Sequence, residues 1–128
     1  MKKPSARRYG EFFFLGFLIS KSFFSFSSSI VREVTDDKSL PKAERKRLQV
    51  VTAPGKSREA KLVKLADKLY NLRDLQRQTP IGWTEERVQQ YHEWAAQVVA
   101  GLVGTNVALE KALEEVLAVK GVQIGGNK

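Results

Sequence analysis

The chain has 128 residues, 42% of them apolar and 28% charged, with a formal net charge of +8 and an isoelectric point near 9.9. That size and balance fit one small globular domain and exclude a fibre or an acidic solvating chain. The absence of Cys excludes disulfide frameworks, thiolate nucleophiles and Cys-ligated zinc. A single histidine, His92, argues against imidazole-rich metal sites and Ser-His-Asp relays.

Composition divides the chain near residue 30. All seven Phe and seven of the nine Ser lie in residues 1–29, and both Trp lie beyond them. Residues 1–29 also carry five Lys or Arg against one Glu, half of the net charge on less than a quarter of the length. The remaining surplus is ordinary for a soluble domain, so nucleic-acid binding is not expected from charge alone. Residues 12–20 (FFFLGFLIS) are too short to span a bilayer, which takes about 20 apolar residues, and Lys21 ends the run. The simplest reading of residues 1–29 is unselected, disordered sequence from an alternative start or exon. A secretory signal is the second reading, and an organelle presequence imitates the pattern equally well.

From residue 30 the pattern is helical. Pro41 at a first turn, with Ser39 able to cap, predicts a helix over residues 41–49. Residues 52–57 (TAPGKS) read as a turn. Leu62, Leu65, Ala66, Leu69 and Leu72 then recur at three-and-four spacing and predict a long helix that ends by residues 79–82. Thr84 with Glu85 and Glu86 starts another, whose buried stripe is Val88, Tyr91, Ala95, Val98 and Leu102. A last helix is expected over residues 106–120 on Leu109, Leu113, Val116 and Leu117, followed by a flexible tail over residues 121–128. The expected class is all-α, a bundle of about four helices.

On the long helix, Asp67, Asn71 and Asp74, with Tyr70 alongside, lie away from the leucines. Asp67 and Asn71 are one turn apart and project together. They suit a carboxylate ligand oriented by an amide. On spacing alone they better suit a solvated face on which Asp67 pairs Lys64 or Lys68, and spacing does not settle it.

The segments VTDDKSLPKAERKRLQV, AKLVKLADKLYNLRDL, GW with RVQQYHEWAAQVV, and GTN resemble the carboxy-terminal half of the metazoan SpoT homologues over residues 30 to about 120. These are all-helical HD-domain hydrolases related to bacterial RelA and SpoT enzymes. The resemblance implies a manganese-dependent 3′-pyrophosphohydrolase of guanosine tetraphosphate, with NADPH 2′-phosphatase activity also ascribed to the animal members, and a cytoplasmic location by default. Carried over, Asp67 matches a metal ligand and Asn71 a residue lining the nucleotide site. Lys42, Arg87 and Tyr91 match groups that contact substrate phosphates or base, with Lys42 set among Arg45, Lys46 and Arg47.

The departures from that pattern are as informative. Residues 1–29 supply no early His, no His-Asp pair and no acidic pair after it. His92 has no Asp after it and reads as a surface or interfacial histidine. One carboxylate holds a divalent ion weakly and does not lower the pKa of its water enough to make a nucleophile. The expectation is therefore a truncated, inactive isoform whose apolar stripes lack their family partners, so that the helices form a marginal assembly. The alternative is a non-catalytic module that self-associates or pairs with full-length subunits.

Overall fold

The computed structural model describes residues 28–125; the readings made for residues 1–27 and 126–128 lie outside them. Five α-helices follow in order: α1 Ser28–Val34, α2 Lys42–Thr52, α3 Arg58–Arg77, α4 Glu85–Ala100 and α5 Val107–Ala118, with a 3₁₀ turn Ala53–Gly55 after α2. Among the described residues there is no strand, as an all-α reading requires. One more helix is present than the periodicity predicts. The extra one, α1, has seven residues and is too short to show a repeat.

Local chemistry sets the boundaries. Ser57 caps α3 through Ala60 N, Thr84 caps α4 through Arg87 N, and Asn106 caps α5 through Leu109 N. Glu110 accepts from the backbone N–H of Thr105 and Asn106, which completes a reciprocal cap at the start of α5. Ser39 does not cap α2. Its N–H and its hydroxyl both donate to Asp37 Oδ1, at 3.0 and 2.6 Å, and Pro41 itself holds the cap position with no side-chain bond. Asp37 wins because it stands two residues before the serine and closes a local turn.

The core gathers on α3. Leu65, Leu69, Leu72 and Leu75 pack with Val88, Tyr91, Ala95, Val98, Val99 and Leu102 from α4 and its end, and with Leu113, Val116 and Leu117 from α5. Each fully buried aliphatic side chain contributes about 1.5–3 kcal/mol. Leu62 and Ala66, expected on this stripe, are only partly buried. A smaller cluster of Val34 and Ala60 with Ile30 and Val63 holds α1 against α3. There Glu33 adds its carbonyl, which accepts from Lys56 Nζ, and its carboxylate, which accepts from Ser57 N at 2.8 Å.

Where α4 ends, Gly101 lets the backbone meet the 3₁₀ turn. A Cβ there would stand 2.8 Å from Ala53 Cβ and 2.9 Å from Pro54 Cδ. Beyond α5, Val122 is buried and Gly125 N donates to Ala96 O at 3.1 Å, so residues 121–125 are tied to the bundle rather than fraying from it.

Candidate functional site

The long helix is buried on two faces. Opposite its leucines, Lys64, Asp67, Lys68, Asn71 and Asp74 are also buried, so the polar stripe is not a solvated face. Asp67 is 1% exposed and Lys68 is fully covered, with Lys68 Nζ 3.7 Å from Asp67 Oδ2. Burial pushes the Asp67 carboxyl up and the Lys68 ammonium down, while their mutual attraction opposes both shifts. Burial likewise takes Lys64 down to about 7. Asn71 Nδ2 reaches Asp67 Oδ2 at a long 3.5 Å, the contact its one-turn spacing predicts. Behind them Lys64 Nζ donates to Gln49 Oε1 at 3.2 Å, and Gln49 Nε2 donates to Asp36 Oδ2 at 2.9 Å.

A second group meets the first at Trp94. Lys68 Nζ lies 4.5 Å from the centre of the Trp94 ring and Lys46 Nζ 4.4 Å from it, with Lys46 also 5.6 Å from the Tyr91 ring. Tyr91 packs edge-on to Trp94 at 5.4 Å between centroids and tilted against Trp83 at 6.1 Å. The guanidinium of Arg87 covers Trp83 at 4.1 Å. Cations over aromatic faces are held by the ring quadrupole, with about 0.5–2 kcal/mol each. Tyr91 and Trp94 share a face because they are three apart on α4, which also turns Arg87 toward them. Lys42 is exposed one turn before Lys46, close enough, with Lys68 and Arg87, to depress its amine.

Lys42, Arg87 and Tyr91 thus converge around Lys46, and Lys68 connects them to Asp67 and Asn71. Lys46, Lys68, Trp83 and Trp94 were not picked out as site residues in the sequence. The available signal was Lys64 and Lys68 bracketing Asp67, together with Trp94 three residues after Tyr91. Of the basic cluster on α2, Arg47 is a solvated group paired with Glu44, and Arg45 donates to Leu40 O.

His92 is not at the surface. It is completely buried, with Nδ1 2.9 Å from Val88 O and Nε2 3.2 Å from Gln76 Nε2. A carbonyl only accepts, so Nδ1 carries the proton and Nε2 accepts from the amide. Gln76 Nε2 also donates to Val116 O, so this neutral histidine helps fasten α4 to α3 and α5. Of the two placements the sequence allowed, the surface one fails and the interfacial one holds between helices, because a lone His beside Tyr91 carries no sign of which way it faces.

A manganese site fits poorly. Asp67 Oδ1 is buried without a hydrogen-bond partner, which would suit a ligand atom. Yet among the described residues no three His, Cys, Asp or Glu side chains come together to hold an ion. The charges nearest Asp67 are the ammonium groups of Lys68 and Lys64. A carboxylate facing two cations, with Asp36 acting on it more weakly, is a poor seat for a divalent ion.

By architecture, the described residues form an all-helical domain similar to the metazoan SpoT homologues. It superposes with a TM-score of 0.74 and 56% identity, over 80% of this chain and 58% of the other, on a solved structure described as a metazoan ortholog of SpoT that hydrolyses ppGpp and plays a role in starvation responses. In sequence it is similar to the guanosine-3′,5′-bis(diphosphate) 3′-pyrophosphohydrolase MESH1 of Homo sapiens, 67% identical over 95 residues, which are 74% of this chain and 53% of that protein. The Mus musculus and Drosophila melanogaster proteins of that name are 65% and 60% identical over 95 and 93 residues, covering 53% and 52% of their lengths. No family model matches the chain. Over the matched stretch the chain is similar to the metazoan SpoT homologues, and it spans about half the length of the curated relatives it matches. No helix among the described residues is long and apolar enough to cross a membrane.

Proposed function

We propose that this chain is a nucleotide-binding wall of the guanosine tetraphosphate pyrophosphohydrolase fold, one that binds the substrate class of its relatives without hydrolysing it. The observation that carries the reading is the junction at Trp94, where Lys46 and the buried Lys68 share one ring and Tyr91, buried behind them, continues the cluster to the partly buried Trp83 and the exposed Arg87. Clustered cations attract polyphosphate, and an aromatic surface offers a base a stacking partner. In this reading Lys42, Lys46 and Arg87 take the phosphates, Tyr91 supports the base, and Asn71 orients Asp67. Manganese-dependent hydrolysis is not part of it, because Asp67 is faced by Lys68 and Lys64, with Asp36 acting more weakly, and among the described residues no three acidic or imidazole side chains gather. NADPH, with its own phosphates and rings, is the competing ligand.

Pairing with full-length subunits through uncovered stripes is the weaker reading. The leucine and valine stripes lie in the core, and among the described residues the large aliphatic side chains left exposed are Val51, Ile81, Val103, Val107 and Val119. The test is equilibrium binding of guanosine tetraphosphate and of NADPH to the wild-type chain, Arg87→Gln and Trp94→Phe. The reading predicts saturable binding that weakens several-fold in Arg87→Gln and falls with rising salt, since phosphate contacts release counterions. Binding indifferent to Arg87 and to salt overturns it.

A further inference from the structure

Lys46 and Trp94 are joined twice. The indole Nε1 donates to the Lys46 carbonyl at 3.1 Å, and the Lys46 ammonium returns to the same ring at 4.4 Å. The backbone bond fixes where the side chain starts and the ring fixes where it ends, so the amine of this half-buried residue is held in one place. No carboxylate pairs with it among the described residues. Its charged neighbours are Lys42, Lys68 and Arg87, all cations. A lysine placed in this way differs from a surface lysine in two respects. Its surroundings draw anions, and they disfavour its own charge.

We propose that Lys46 is a modification site, the amine of this chain that reacts preferentially with acyl phosphates. The exposed Lys42 and Arg87 hold the phosphate group, and the neutral amine attacks the acyl carbon. The C–N bond forms as the C–O bond to phosphate breaks, phosphate leaves with that electron pair, and the proton from nitrogen passes to water. Nothing is oxidised or reduced. The product is an uncharged amide, which removes one cation from the cluster and withdraws the ammonium from the Trp94 ring.

The electrostatics support the geometry. Burial, then Lys42, Lys68 and Arg87, bring the Lys46 amine down to about 8. Near pH 7.5 such an amine is roughly a quarter neutral, against about one part in a thousand for an ordinary lysine. Lower basicity also weakens the nucleophile, as it does for thiols, and takes back part of that gain, leaving about a tenfold advantage.

The experiment treats the folded, full-length chain with acetyl phosphate and follows the rate at each lysine by peptide mass spectrometry, with and without inorganic pyrophosphate. The expected result is acetylation of Lys46 about tenfold faster than of exposed Lys111, with pyrophosphate slowing Lys46 and sparing Lys111. Equal rates at the two lysines overturn the proposal, as does pyrophosphate slowing both alike. Repeating the comparison on Arg87→Gln keeps the cation requirement testable, because the Lys46 preference should shrink there. An unchanged preference contradicts it. None of these outcomes depends on whether the site accepts a guanosine nucleotide.

Discussion

Lys68 and Asp67 are consecutive on α3, yet their charged ends lie 3.7 Å apart in a fully covered site. Neighbours on a helix point about 100° apart, so the contact exists because the long lysine stem bends back, with Trp94 capping the ammonium at 4.5 Å. Removing one member strands the other. Lys68→Met is expected to destabilise the chain by about 3–5 kcal/mol by leaving a buried carboxylate without its nearest cation. Asp67→Asn combined with Lys68→Met should cost clearly less than the two single changes added together. Urea unfolding of the four proteins measures this, and strict additivity would show that the pair is not coupled.

His92 makes stability depend on pH below its ordinary value. The imidazole is held below its usual 6.5, first by burial, with the Val88 carbonyl opposing and Lys120 assisting. Protonation would also turn Nε2 into a donor facing the Gln76 amide. The unfolded chain therefore takes up the proton more readily than the folded one. His92's contribution is complete above about pH 6.5 and is lost as pH falls from there toward the lower folded value. Lys64, down to about 7, and Lys46, down to about 8, titrate above that window, whereas Glu33, Asp37, Glu44 and Glu110 are held below the usual carboxylate range and titrate beneath it. Urea midpoints between about pH 7 and 5.5 should drop more steeply for the wild-type chain than for His92→Gln. Parallel curves would remove the histidine from the account.

The crossing of α4 over the 3₁₀ turn is tight at Gly101. Gly101→Ala would place its methyl within 2.8 Å of Ala53 Cβ and 2.9 Å of Pro54 Cδ, and is expected to destabilise by about 1–3 kcal/mol. Gly55→Ala meets nothing within 4 Å and should be neutral or slightly stabilising. Thermal melts of the two variants decide between this contact and a general intolerance of alanine in the turn.

How far the sequence was legible follows from the range of each interaction. The bounds of α3, α4 and α5 were readable because Leu spacing, Thr84 and Asn106 act within one or two turns. The capping of α2 was misread because Asp37 competes for Ser39 at equally short range, and α1 was too short to show a period. The site was half legible. Asp67 and Asn71 touch as their spacing says, and Lys42, Arg87 and Tyr91 surround one amine. What the sequence could not show is the contact between helices. Lys68 reaching Trp94, and His92 turning inward to Gln76, depend on how α3 and α4 lie against each other.

The most direct test of the central claim incubates the purified chain with guanosine tetraphosphate and manganese, follows pyrophosphate release, and measures binding of the same nucleotide by calorimetry. The account predicts saturable binding that weakens with salt and no pyrophosphate release above that of an Asp67→Asn control. Pyrophosphate release that disappears in Asp67→Asn would contradict it, because Asp67 would then be working in a reaction centre despite the lysines that face it.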